Sequence, residues 1–145
     1  MIKVFVICMA FLYMVLPGVS AAGSLTDNGN GTVTDSGTHL MWQQGENSSM
    51  TWEAALSYCE GLTLAAQTDW RLPNIKELSS IVDDTRYNPS IDTTYFPGTI
   101  SSGYWSSTTH AGYTSLAWLV GFSSGSTGNG FKTFSLYARC VRGGQ

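Results

Sequence analysis

The sequence predicts an α+β domain, with two helices packed on mostly antiparallel strands and a long irregular loop region leading into the closing strands. Three observations carry that expectation. Two segments place apolar residues at helical spacing between capping residues, several others alternate at period two, and about twenty residues after Asp84 show neither period.

The first 22 residues are set apart before the elements are counted. Lys3 is their only charge, followed by the apolar block "VFVICMAFLYMVL", then Pro17 and Gly18, then the small residues "VSAAG". This is the order of a secretory signal peptide, with cleavage expected after Ala21 or Ala22. The block is too short, and too soon followed by small residues, for a membrane span. Cys8 sits inside it without the small residue that a lipid-modified N-terminal cysteine would need, which argues against a lipoprotein. The expected organisation is a signal peptide at 1–22 and a single domain at 23–145, exported to the periplasm, the cell surface or the medium. Losing Lys3 leaves six basic residues against ten acidic ones and moves the net charge from -3 to -4. An acidic surface repels phosphate backbones, so nucleic acid is not an expected partner.

The mature chain opens on "LTDNGNGTVTD", which fails as a calcium loop because Gly29 and Gly31 stand where oxygen ligands are needed. Its Asn-Gly pairs instead predict a tight turn feeding a strand through Val33. A second turn at "DSGT" leads into "HLMWQ", where Leu40 and Trp42 share a face. "MTWEAALSYCEGL" predicts the first helix, with Thr51 as N-cap, Gly61 as stop, and Trp52, Leu56 and Cys59 on its apolar stripe. In "TDWRLPNIKEL", Trp70 and Leu72 alternate around Arg71 as in a short strand. Pro73 bars Leu72 from helix, and Asn74 with Glu77 forms a capping box for a second helix whose stripe is Ile75, Leu78, Ile81 and Val82. Three strands follow the long loop: "YWSSTT"; "LAWLVGF", with Leu116, Trp118, Val120 and Phe122 on one side; and "FSLYARCVR", with Leu136, Ala138 and Cys140 on one side. The Gly- and Ser-rich connectors "HAGYTS" and "SSGSTGNG" read as exposed turns.

Cys59 and Cys140 remain after export. In an oxidising compartment two cysteines are most simply paired with each other, closing a loop worth about 4 kcal/mol in the chain-entropy model. A free catalytic thiol is the alternative that export disfavours.

The order of elements resembles the C-type lectin-like fold. The wording "DNGNGTVTDSGT", "LMWQ", "TWEAALSYCEGL", "DWRLPNIKEL", "YWSST" and "ARCVRGG" resembles a family of exported bacterial domains that includes the C-terminal domain of a collagen-like adhesin. That resemblance covers nearly the whole mature chain. "WRLPN" before a helix is also similar to a motif of the formylglycine-generating enzyme family. For the fold, the resemblance implies a Cys59–Cys140 pairing between the first helix and the final strand. For chemistry it implies little: sugar-binding lectins hold calcium with Glu-Pro-Asn or Gln-Pro-Asp in the long loop and Trp-Asn-Asp on a strand, whereas this chain has "YNPSID" and "YWSST".

No reactive constellation is read from the residues. Asp83, Asp84 and Asp92 offer oxygen ligands for calcium, but scattered surface carboxylates are usually solvated. His39 and His110 stand far apart in turn-like surroundings, the Gly-x-Ser-x-Gly run "GFSSG" at 121–125 is followed by no helix and so forms no nucleophile elbow, and "GSTGNG" precedes no helix that would make it a phosphate cradle. No metal or cofactor is assigned. Trp42, Trp52, Trp70 and Trp118 lie on apolar sides of expected elements, while Trp105 has polar neighbours on one side. The expected function is a non-enzymatic binding module that meets a glycan or protein ligand through loops, with adhesion as one role; the alternative is a self-assembly module of a surface structure. The contact segments are Arg86 to Gly103, His110 to Ser115 and Ser123 to Gly130. Arg86, Tyr87, Tyr95, His110, Tyr113 and Asn129 are the candidate ligand residues, since tyrosine and asparagine give contact area and adaptable hydrogen bonds at modest entropic cost.

Overall fold

A computed structural model describes residues 23–143, so the expected export segment at 1–22 lies outside the described residues. The described chain begins with β1 (Leu25–Asp27) and β2 (Thr32–Asp35), joined by the Asn-Gly turn. Gly29 and Gly31 sit at φ 69° and 82°, a region glycine enters without steric cost, and the Asp27 carboxylate accepts the Gly29 amide at 2.8 Å. β3 (Leu40–Gln43) pairs with β2 so that Val33 faces Trp42, and β7 (Val141–Gly143) pairs on the other side of β3 with Val141 opposite Trp42. The resulting antiparallel sheet, ordered β1-β2-β3-β7, joins the two ends of the described chain.

Between β3 and the second sheet stand two short helices. α1 (Trp52–Glu60) forms as its caps predict: the Thr51 hydroxyl accepts the Ala54 amide, and the Gly61 amide returns to the Ser57 carbonyl. Its inner face buries Ala55 and Cys59. α2 (Ile75–Ser79) opens with a complete capping box, in which Asn74 Oδ1 accepts the Glu77 amide and Glu77 Oε2 accepts the Asn74 amide, both at 2.9 Å. It then stops after five residues. Ser79 and Ser80 turn their hydroxyls onto the carbonyls of Ile75 and Glu77, a local alternative to continued helix, so Ile81 and Val82 fall beyond the helix they were expected to line.

The second sheet is antiparallel, ordered β4-β5-β6, from β4 (Gly103–Thr109), β5 (Leu116–Gly121) and β6 (Ser126–Phe131). β4 lies between two cores. Tyr104 points into one with Leu78, Val120, Phe122 and Val141, while Trp105 points into the other with Cys59, Trp70, Leu72 and Ala117. Adjacent strand residues face opposite ways, so full burial of both rings marks a sheet covered on each side. This settles Trp105 as a core residue despite its polar neighbours.

The architecture overturns the expected α+β, C-type lectin-like class. The described fold is mostly β, two antiparallel sheets with helices of only nine and five residues. Three local readings fail with it. "SSGSTGNG", taken for a turn, supplies β6, which pairs along its whole length with β5 from Leu116↔Phe131 to Gly121↔Ser126; backbone ladder bonds do not require apolar side chains. The expected closing strand shrinks to β7, and the chain before it is held by isolated bridges, Met50↔Leu136 and Tyr104↔Tyr137, with Arg139 buried between them and β7 in sequence. The Trp70–Leu72 strand is a single bridge, Arg71↔Val141, although both apolar side chains are buried as expected. The staple forms: Cys59 on α1 is bonded to Cys140, just before β7, across a separation of 81 residues, and both are fully buried.

Candidate functional site

The segment from Asp83 to Ser102 has no helix or strand, yet its backbone is fastened at several points. The Asn88 amide donates to the Ser123 carbonyl and the Ser90 amide to the Phe122 carbonyl, while the Phe122 amide donates back to Ser102. Asp83 closes a smaller loop through its amide on the Ser90 carbonyl. Ser90, Ile91 and Phe96 are completely buried, so the segment is anchored by side chains as well. Its periodicity is missing because the anchors are irregularly spaced, and Ile91 and Phe96 join the first core with Val33, Trp42 and Tyr104.

Arg86 is the cation at the centre of this loop. Its Nε donates to Asp83 Oδ2 at 2.9 Å, and a terminal nitrogen lies 3.3 Å from Asp92 Oδ1. Each carboxylate has further donors: the Thr85 hydroxyl and amide on Asp83, and the Thr94 amide on Asp92. The Thr85 hydroxyl contributes most to holding the Asp83 carboxyl below the ordinary carboxylate range, followed by the Thr85 amide and Arg86. Next to this triad Tyr87 is 80 % exposed, the highest value among the exposed large hydrophobic side chains. Asn88 follows at φ 48°, a left-handed conformation that asparagine tolerates. Thr85, Arg86, Tyr87, Asn88, Pro89, Ile91 and Thr93 line a shallow depression of about 360 Å³.

On the other side of Arg86 lies an acidic recess of about 300 Å³ lined in part by Asp35, Asp83, Asp84 and Asp92. Two of its carboxylates are engaged by Arg86, and Asp35 is held by the Gly37 amide and the Thr38 hydroxyl at 2.8 Å each. Among the described residues, no group of three His, Cys, Asp or Glu side chains is disposed to hold a metal ion.

The six ligand residues expected from sequence divide between separate places. Arg86 and Tyr87 form the depression just described. Tyr95 is half-buried against the first core, and its carbonyl accepts Gln44 Nε2 at 2.9 Å. His110 and Tyr113 meet near the opposite end of β5, where His110 stacks on Trp118 at 5.2 Å and 19° and also lies 5.5 Å from the Tyr113 ring. Asn129 lies opposite Trp118 in register, so the two project from the same face. Trp118 is thus only half-buried, with one face covered by His110, and Tyr113 is the exposed ring there at 66 %. Trp52 is also half-buried: its Nε1 donates to the Ser106 carbonyl and Lys132 sits 3.8 Å over its ring.

Sequence reasoning missed a buried cation. Arg139 has no exposed surface; it pairs with Glu46, donates to the carbonyls of Gln43 and Gln44 and to the Thr99 hydroxyl, and lies 4.8 Å from the Phe96 ring centre. Tyr104 completes the cluster by donating to Glu46 at 2.6 Å and accepting the Ile100 amide at 3.1 Å. Burial lowers the Arg139 guanidinium from its ordinary range against the opposing pull of Glu46, and burial raises the Tyr104 phenol, helped by its bond to Glu46. The cluster ties the long loop to β3 and to the segment before β7. Alternation put Arg139 on the side away from Ala138 and Cys140, which reads as solvent when the partner is 93 residues distant.

Residues 31–142 match the Lcl C-terminal domain, a span that begins in the β1–β2 turn and ends within β7. The chain belongs to the Lcl C-terminal domain family. No curated protein matches it. In Lcl C-terminal domain terms, the matched region contains both cores, the disulfide, the Arg139 cluster and the Tyr87 loop.

Proposed function

We propose that this domain is a non-enzymatic binding module, exported to the periplasm, the surface or the medium, that meets a glycan or protein ligand through its loops. The single observation that carries this reading is Tyr87, a large ring left 80 % exposed on a loop whose backbone is bonded to Phe122 and Ser123, just past β5, and anchored by its buried side chains. A ring held in water by a pre-ordered backbone loses little further freedom on binding, which is how a scaffold supports recognition. Membership in the Lcl C-terminal domain family accords with a module of an exported protein. No helix of the described residues is long and apolar enough to cross a membrane. Glycan-array and pull-down screening of residues 23–145, with Tyr87→Ala in parallel, tests the reading. Capture of a ligand that is lost in the variant supports it; a folded sample that captures nothing contradicts it.

A second reading, self-assembly, has one observation in its favour. β6 is the outer strand of its sheet and its sequence, "STGNGF", has neither a charge nor a proline, the devices that normally guard a strand edge. Light scattering across a concentration series decides it: a stable oligomer favours assembly, and a monomer throughout removes it.

A further inference from the structure

We propose that the depression beside Tyr87 is a subsite for an uncharged saccharide ring. The inference rests on the binding reading above and narrows it to one ligand class.

Charge is the first ground. Arg86 lines the depression, whereas Asp83 and Asp92, which neutralise it, line the recess on its far side. A sulfate, phosphate or uronate approaching the depression meets a guanidinium already bonded to one carboxylate and close to a second, with Asp84 and Asp35 just beyond. An anion gains little there and faces the field of a chain whose net charge is -3. A cation finds Arg86 and no carboxylate among the lining residues of the depression. The surface rewards neither sign.

The remaining lining is of a kind that suits a sugar. The Tyr87 ring offers a flat apolar face, the half-buried Pro89 extends it, and Thr85, Thr93 and Asn88 add hydroxyl and amide groups around it, with Ile91 buried beneath. Such an arrangement matches a pyranose, which has a C–H face and a rim of hydroxyls. At about 360 Å³ the depression is near the lower end of the range for ligand pockets, roughly 300–1,000 Å³, so it suits one or two rings of a longer chain. Preorganisation completes the case, because the Ser123, Phe122 and Ser90 backbone bonds fix the loop before any ligand arrives.

Saturation-transfer NMR on residues 23–145 tests the proposal with two probe sets. The neutral set comprises maltotriose, cellotriose, xylotriose, mannotriose, galactotriose and chitotriose; the charged set comprises a heparin tetrasaccharide and trigalacturonate. Tyr87→Ala, Tyr87→Phe and Tyr113→Ala are compared, and since both tyrosines are largely exposed the variants fold, as circular dichroism verifies. The expected result is contact with at least one neutral trisaccharide, weakened on the order of tenfold by Tyr87→Ala and unchanged within about twofold by Tyr87→Phe and Tyr113→Ala. Preference for the charged set, or neutral binding indifferent to Tyr87→Ala, overturns the assignment. If neither set binds while a protein partner is captured and lost in Tyr87→Ala, the saccharide is overturned and the binding reading stands. If neither sugars nor proteins bind, both fall.

Discussion

Replacing Glu46 by alanine removes the one carboxylate that pairs with Arg139 among the described residues and leaves a guanidinium with no exposed surface to be balanced by carbonyls, a hydroxyl and an aromatic ring. Breaking a buried ion pair from one side costs about 3–5 kcal/mol. The Tyr104 hydroxyl also loses its acceptor, which adds roughly 1 kcal/mol. The lower end of the first range applies because the Glu46 side chain keeps 18 % of its surface, so water can partly replace it. The expected loss is therefore about 3–4 kcal/mol, a large share of the 5–15 kcal/mol typical of a domain. Urea unfolding followed by tryptophan fluorescence, with the disulfide intact, measures it. Glu46→Ala with Arg139→Met should recover more than half of the single-variant loss, since the uncompensated charge is then gone. A Glu46→Ala loss below about 1 kcal/mol would refute the premise that Arg139 depends on this carboxylate.

Two further outcomes follow from the staple and the carboxylates. Cys59→Ser with Cys140→Ser should cost about 4.5 kcal/mol by the chain-entropy model for a loop of 81 residues, read as a lower urea midpoint; a midpoint unchanged from the oxidised wild type would contradict the staple's contribution. Acid should destabilise the fold. Burial raises the Glu77 carboxyl, but its Arg71 hydrogen bonds and the Asn74 amide outweigh burial and hold it below its ordinary 4.5, and Asp69 is likewise lowered from 3.8, mainly by Arg142. Carboxylates depressed in the folded state stabilise it above their unfolded values, and that stability is lost as pH falls through the folded values. Thermal midpoints should therefore hold above about pH 5 and decline progressively below about pH 4.5; a midpoint that rises on acidification would contradict the pairing.

Much of the local structure was legible because its signals are short-range. Thr51 and Gly61 bound α1, Asn74 and Glu77 open α2, and the Val33 and Trp42 positions report a buried face, each from residues within a few places of one another. What escaped depends on distant partners. β6 is a strand because β5 lies beside it, and no apolar alternation announces that. Arg139 is buried because Glu46, Thr99 and two carbonyls converge from elsewhere in the chain. The error in fold class comes from the missed β6 and from α2 stopping after five residues, which shift the balance from α+β to mostly β. At the candidate site, composition marked the long loop and Arg86 with Tyr87. It did not separate them from His110, Tyr113 and Asn129, because distance along β5 is a property of the folded sheet.

The most direct measurement is native-state hydrogen exchange at single amides. A long segment without helix or strand is held here to be a fixed platform, so the amides of Asn88, Ser90 and Phe122, which donate to Ser123, Phe122 and Ser102, should exchange at least about a hundredfold more slowly than an unstructured chain. Exchange of those three amides at unprotected rates, with the β2 and β3 amides still protected, would show the loop to be loose and would remove the basis for recognition at Tyr87.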